Sequence, residues 1–153
     1  MRVFAMILGL AACVPVPIPI VTISAPQVRT LVSSQAPDAG FDAQFQNVRR
    51  KPIAYNAPLS AVARAHAADM DARGYFSHNS PEGISSGARA EAAGIPACGI
   101  GENIAKGQTS SAEVFAGWMA SEDHRRNMVN PGIASYGLGR AGDTWVLMLY
   151  QPC

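Results

Sequence analysis

Apolar residues recur at helical spacing in the middle of the chain and alternate near its end. Phe41, Phe45 and Val48 predict a short helix over Phe41–Arg50. The next helix is better marked. Asn56 stands as its cap, Leu59, Val62, Ala63, His66, Ala67 and Met70 form one stripe, and Gly74 ends it. An alanine-rich helix is read over Ile84–Ala93, before Gly94. The stretch that follows, GIPACGIGENIAKGQ, carries four glycines and no element is assigned to it. Ser110 and Glu113 then fit a capping box for a helix that buries Val114, Phe115, Trp118 and Met119. Ser121 caps one more helical stretch, with two acids in its first turn, and Asn130-Pro131-Gly132 ends it. The C-terminal IASYGLGRAGDTWVLMLYQPC reads as two strands around a Gly-Asp turn. In the last strand Trp145, Leu147 and Leu149 alternate with Val146, Met148 and Tyr150, so both faces are apolar. A strand of that kind is covered on both sides. Helices before and between such strands predict an α+β fold, a three-layer α-β-α sandwich.

Composition sets the N-terminus apart. Val3–Ala25 carries no charge and follows a single Arg2, which reads as an export signal over residues 1–25. LAAC at 10–13 offers a second reading, the bacterial lipoprotein signal, cut before Cys13 so that this cysteine carries the lipid and anchors the chain to a membrane. Ile23-Ser24-Ala25 suits an ordinary signal peptidase. Pro15, Pro17, Pro19 and Pro26 oppose a continuous spanning helix. Residues 26–40 read as a linker and 41–153 as the folded domain. Three cysteines leave one unpaired in an exported chain; if Cys13 is acylated, Cys98 and Cys153 remain as a pair for an oxidising compartment.

The chain has 12 basic and 11 acidic residues, a net charge of +1. Such a balance excludes nucleic acid as the main partner. The short run Arg49-Arg50-Lys51 reads as a solvated face.

Three polar residues stand where apolar segments end: His78, Glu102 and His124. Two imidazoles and a carboxylate are a ligand set for a divalent ion such as zinc. Their separations, 24 and 22 residues, make the signal weak, and no His-Glu-x-x-His or Gly-x-Ser-x-Gly motif is present. His124 would be the third residue of a helix capped by Ser121, where the helix dipole disfavours imidazolium. His66 lies on an apolar stripe and reads as a core residue. Ser77 beside His78 makes no catalytic pair.

Taken in order, QNVRR (46–50), LSAVARAHAADMDARGYFSHNSPEG (59–83), GENIA (101–105), WMASEDHRRNMVNP (118–131) and YGLG (136–139) resemble the segments of the CAP superfamily, the cysteine-rich secretory, antigen 5 and pathogenesis-related proteins. The compact bacterial members are the most similar. The resemblance covers about three quarters of the chain and implies an α-β-α sandwich with a central cleft. In many relatives two histidines and two glutamates line that cleft and hold a divalent cation. The resemblance places the first histidine at His78, the first glutamate at Glu102 and the second histidine at His124. The second glutamate falls at Ser121, a poor zinc ligand, so the site is at most a three-ligand version. Several relatives bind sterols or other lipids. Two function classes follow. One is an exported or surface-anchored, non-enzymatic binding module, periplasmic or extracellular, for a lipid, envelope or protein ligand. The other is a metal-assisted hydrolase with zinc on His78 and His124 and Glu102 as ligand or base.

Overall fold

The structure, a computed structural model, describes residues 36–153. Its elements are α1 (Ala39–Asn47), β1 (Ala54–Tyr55), α2 (Ala57–Arg73), α3 (Ser86–Ala92), β2 (Gly99–Lys106), α4 (Ser111–Ala120), α5 (Glu122–Val129), β3 (Ser135–Ala141) and β4 (Thr144–Gln151). The four strands form one sheet in the order β1-β3-β4-β2. β1 runs parallel to β3, and the β3–β4 and β4–β2 pairs are antiparallel.

The two-faced pattern of β4 builds the layers. Trp145, Leu147 and Leu149 meet Phe41 and Phe45 of α1, Val114, Phe115 and Trp118 of α4 and Met128 of α5. Val146 and Met148 meet Leu59, Ala63, Ala67 and Met70 of α2 and Ala90 of α3. The molecule is therefore the α-β-α sandwich that the strand pattern predicts.

Local chemistry sets the ends of α2. Asn56 Oδ1 accepts the Leu59 amide at 3.0 Å, Pro58 lies in the first turn, where no intrahelical donor is needed, and Gly74 leaves the helix at φ 68°. Glycine suits that position because other residues strain at that angle.

Four expectations change. The first helix is Ala39–Asn47 rather than Phe41–Arg50, because Asp38 caps it through the Phe41 amide at 2.8 Å. Strand β1 is only two residues long and leaves no periodicity to read. The glycine-bearing stretch contains strand β2, paired with β4 over its whole length; Gly99 and Gly101 lie against Gln151 and Leu149 side chains, so small residues there serve packing. Arg49 is not part of a solvated face. Its guanidinium donates to the carbonyls of Met128, Asn130 (3.0 Å) and Ile133 (3.1 Å), tying α1 to the end of α5.

Cys98 and Cys153 form a disulfide, with Cα atoms 4.9 Å apart and 55 residues between them in sequence. It ties the start of β2 to the end of the chain. Cys13, read as the lipidation site, and the export signal lie outside the described residues. Replacing both Cys98 and Cys153 by serine should lower unfolding stability by about 4 kcal/mol in the chain-entropy description. Urea denaturation with and without reductant measures it; a midpoint indifferent to reduction would show that the bridge constrains little.

Candidate functional site

Glu102 lies on β2 opposite Met148, so its side chain faces the α2–α3 layer, where burial is close to complete. Its carboxylate side chain is 3% exposed. A carboxylate so placed requires cations or donors. His78, on the loop after α2, donates from Nδ1 to Glu102 Oε1 at 2.8 Å. Arg89 of α3 donates from Nη2 to Glu102 Oε2 at 2.7 Å and to the His78 carbonyl at 3.0 Å. Its Nη1 donates to the Ile84 carbonyl at 2.7 Å. One guanidinium thus joins the loop, the helix and the strand.

His66 closes the cluster from below. Its Nε2–H donates to the Ser77 carbonyl at 3.1 Å, and the same nitrogen is 4.0 Å from Glu102 Oε1. Burial, reinforced by the charge of Arg89, holds its pKa below the usual histidine value. The rim of the loop is pinned separately. Tyr75 donates to Asp69 at 2.6 Å, and Arg73 reaches both Asp69 and Glu82. Burial and the Asp69 contact push the Tyr75 hydroxyl up to about 12.

His124 belongs to the other helical layer. Asn103, the neighbour of Glu102, points to the opposite face of β2; it donates to the His124 carbonyl at 3.1 Å and accepts from Asn127 at 2.9 Å. β2 is an edge strand, so the His124 ring can approach His78 only around that edge. The ring's pKa is lowered first by burial and next by His78. Ser121 occupies the N-cap position of α5, yet its side chain makes no cap hydrogen bond.

Of the residues singled out, the structure joins His78 to Glu102 directly, places His124 in the other helical layer, where its carbonyl accepts from Asn103, and leaves Ser121 out. The residue that completes the cluster, Arg89, was not singled out. The signal available was indirect. A glutamate in Ile-Gly-Glu-Asn-Ile is bound for burial, and Arg89 is the only cation in the alanine-rich helix nearby.

As arranged, both Glu102 oxygens are engaged, one of them by a guanidinium, and a divalent ion there would meet Arg89. Among the described residues, no three His, Cys, Asp or Glu side chains are gathered as metal ligands.

Acid should weaken the fold through the histidines. His66 and His124 have folded pKa values below the unfolded value near 6.5. Folding therefore favours their neutral forms; that contribution is complete above pH ~6.5 and is lost as the pH falls below it. Urea midpoints measured from about pH 7.5 to 5 should decline in the parent and decline less in His66→Gln. An equal slope in both would remove His66 from the account.

A second feature lies apart from this cluster. Val48, Arg49, Arg50 and Lys51, after α1, face Val129, the last residue of α5, and Pro131 across a cavity of about 480 Å³. Val129 is 43% exposed.

Comparison with known proteins agrees with this architecture. The model of the CAP family, described as Cysteine-rich secretory protein family, matches residues 27–149. The uncharacterized protein YkwD of Bacillus subtilis (strain 168) is 40% identical over 106 residues, 68% of this chain and 41% of that protein; the chain therefore spans less than half of that relative. An extracellular protein containing a SCP domain from Bacillus anthracis str. Ames superposes with a TM-score of 0.66 at 23% identity, covering 85% of this chain and 44% of that one. An outer surface protein from Borrelia burgdorferi gives 0.67 at 15% identity, covering 86% of this chain and 97% of that one. These two likenesses show the fold. No helix among the described residues is long and apolar enough to cross a membrane.

Proposed function

The chain belongs to the cysteine-rich secretory protein family, and on that premise we propose an exported or surface-anchored binding module, not an enzyme, that takes an amphipathic lipid with an anionic headgroup. Residues 1–25 would direct export, with Cys13 as the anchor if it is acylated. Two fold neighbours, one an extracellular protein and the other an outer surface protein, support the exported setting.

The observation that carries the lipid reading is the groove between the ends of α1 and α5. It is separate from His78, Glu102 and His124. Val48, Val129 and Pro131 give it an apolar floor. Arg49 is fixed by three carbonyls, whereas Arg50 and Lys51 have no acidic partner among the described residues. Two free cations over an apolar floor complement an acyl chain and a phosphate headgroup. The His78–Glu102–Arg89 cluster would then serve as scaffold: it fixes the long loop and edge strand β2, and its carboxylate is already satisfied, leaving no free base.

The test is an NMR titration of the purified chain with short-chain phosphatidylglycerol and with phosphatidylcholine of the same chain length. Phosphatidylglycerol should shift Val48, Val129 and neighbouring amides to saturation. A Lys51→Glu, Val129→Ser variant should bind at least about fivefold more weakly. Absence of saturable shifts, or shifts centred on His78 and Glu102, would sink the reading.

A further inference from the structure

β3 is longer than its partner on one side. β1 pairs only at Ala54 with Ser135 and at Tyr55 with Tyr136. Beyond that point no strand among the described residues pairs with the outer edge of β3. The Asn56 amide donates to the Tyr136 carbonyl at 2.8 Å, so Tyr136 turns its backbone groups outward. By the alternation of a ladder Leu138 and Arg140 do the same. Ser60 Oγ donates to the Leu138 carbonyl. The amides of Leu138 and Arg140 and the carbonyl of Arg140 have no backbone partner among the described residues.

This edge opens into a cavity of about 210 Å³, lined by residues from both sides of the sheet, among them Tyr55, Arg64, Leu138, Arg140 and Trp145. Its polar lining is rich in donors. Arg140 is held in place, 4.5 Å over the Trp145 ring and donating to the Gly142 and Thr109 carbonyls. Arg64 is half-buried and has no carboxylate or hydrogen-bond partner among the described residues, and the Tyr55 hydroxyl likewise has none. The acid in the lining, Asp38, already accepts the Phe41 amide and the Ser111 hydroxyl on one oxygen.

The geometry points to strand addition at this edge by an extended peptide segment that carries carboxylates. Its main chain would pair with the Leu138 amide and with the amide and carbonyl of Arg140, along about 10 Å of edge, and an acidic side chain would meet the Arg64 guanidinium. Charge selects this occupant. A second copy of the chain would bring Arg64 and Arg140 against their own duplicates, which disfavours pairing like edges. The surface is separate from the groove proposed for lipid and does not depend on it.

The experiment is fluorescence anisotropy of a short labelled peptide of alternating valine and glutamate, titrated with the purified full chain in nonionic detergent. The controls are a valine–lysine peptide and a valine–glutamate peptide with prolines at the pairing positions. Saturable binding of the first alone is expected, weakened about tenfold by Arg64→Glu and in the same direction by the milder Arg64→Gln. Circular dichroism verifies that both variants fold. Three results overturn the proposal: no saturable binding, equal binding of the proline peptide, or affinity unchanged in both folded Arg64 variants. The proline result would mean that charge attraction acts without strand pairing.

Discussion

Gly139→Ala should be the most damaging single-methyl change in the domain, costing about 3 kcal/mol or more. Helix α2 lies directly along β3, and Gly137 and Gly139 are the two strand positions beneath it. A Cβ at Gly139 would stand 2.1 Å from the Arg64 amide nitrogen and 2.4 Å from the Ala63 carbonyl carbon; at Gly137 it would stand 2.3 Å from the Ser60 amide nitrogen. These are backbone atoms, so no rotamer change relieves the clash. The helix would have to lift, and the packing of Leu59, Ala63, Ala67 and Met70 on Val146 and Met148 would loosen with it. Gly117 is the control. It is exposed on α4 and nothing lies within 4 Å of its added Cβ, so Gly117→Ala should stabilise by about 0.5–1 kcal/mol. Urea unfolding of the two variants gives the comparison. A Gly139→Ala midpoint within experimental error of the parent would show that α2 is not seated as described.

The same glycines show where the sequence was legible. Leu59 to Met70 predicts α2 and its buried face because a helix repeats its stripe over many residues. Trp145 to Tyr150 predicts a central strand because two apolar faces require two covering layers. Nothing in YGLG shows that a helix backbone will rest on its glycines, since that contact joins residues almost 80 positions apart. β2 was hidden for a related reason: three of its eight residues are Gly99, Gly101 and Lys106, and only pairing with β4 makes it a strand. At the candidate site, His78 and Glu102 were visible because polar residues interrupt apolar segments there. Arg89 was not, because an arginine in a short helix resembles any solvated cation until the position of Glu102 is known. Sequence order also suggested a single three-residue set, and it could not show that an edge strand stands between Glu102 and His124.

Arg89→Met should cost about 3 kcal/mol, the range expected when one member of a buried ion pair is removed. The loss comes less from the attraction than from what remains: a Glu102 carboxylate, 3% exposed, with its Oε2 stripped of a donor. His78 still holds Oε1 but is itself 56% exposed, so it compensates little. Glu102→Leu should cost a comparable amount, because Arg89, with a side chain only 13% exposed, would then be left without its carboxylate. The double variant Arg89→Met, Glu102→Leu removes both charges and replaces them with apolar groups, and its stability should return most of the way to the parent. Urea midpoints of the four proteins give the coupling. Additive losses would mean that the two side chains do not act as a pair. A zinc titration decides between scaffold and metal centre. Zinc titrated calorimetrically into the parent should give no saturable heat, since Arg89 already supplies the positive charge at Glu102. Saturable binding by the parent, abolished in both His78→Ala and His124→Ala while those variants stay folded, would instead mean that the guanidinium yields to a cation. The cluster would then return to the hydrolase reading.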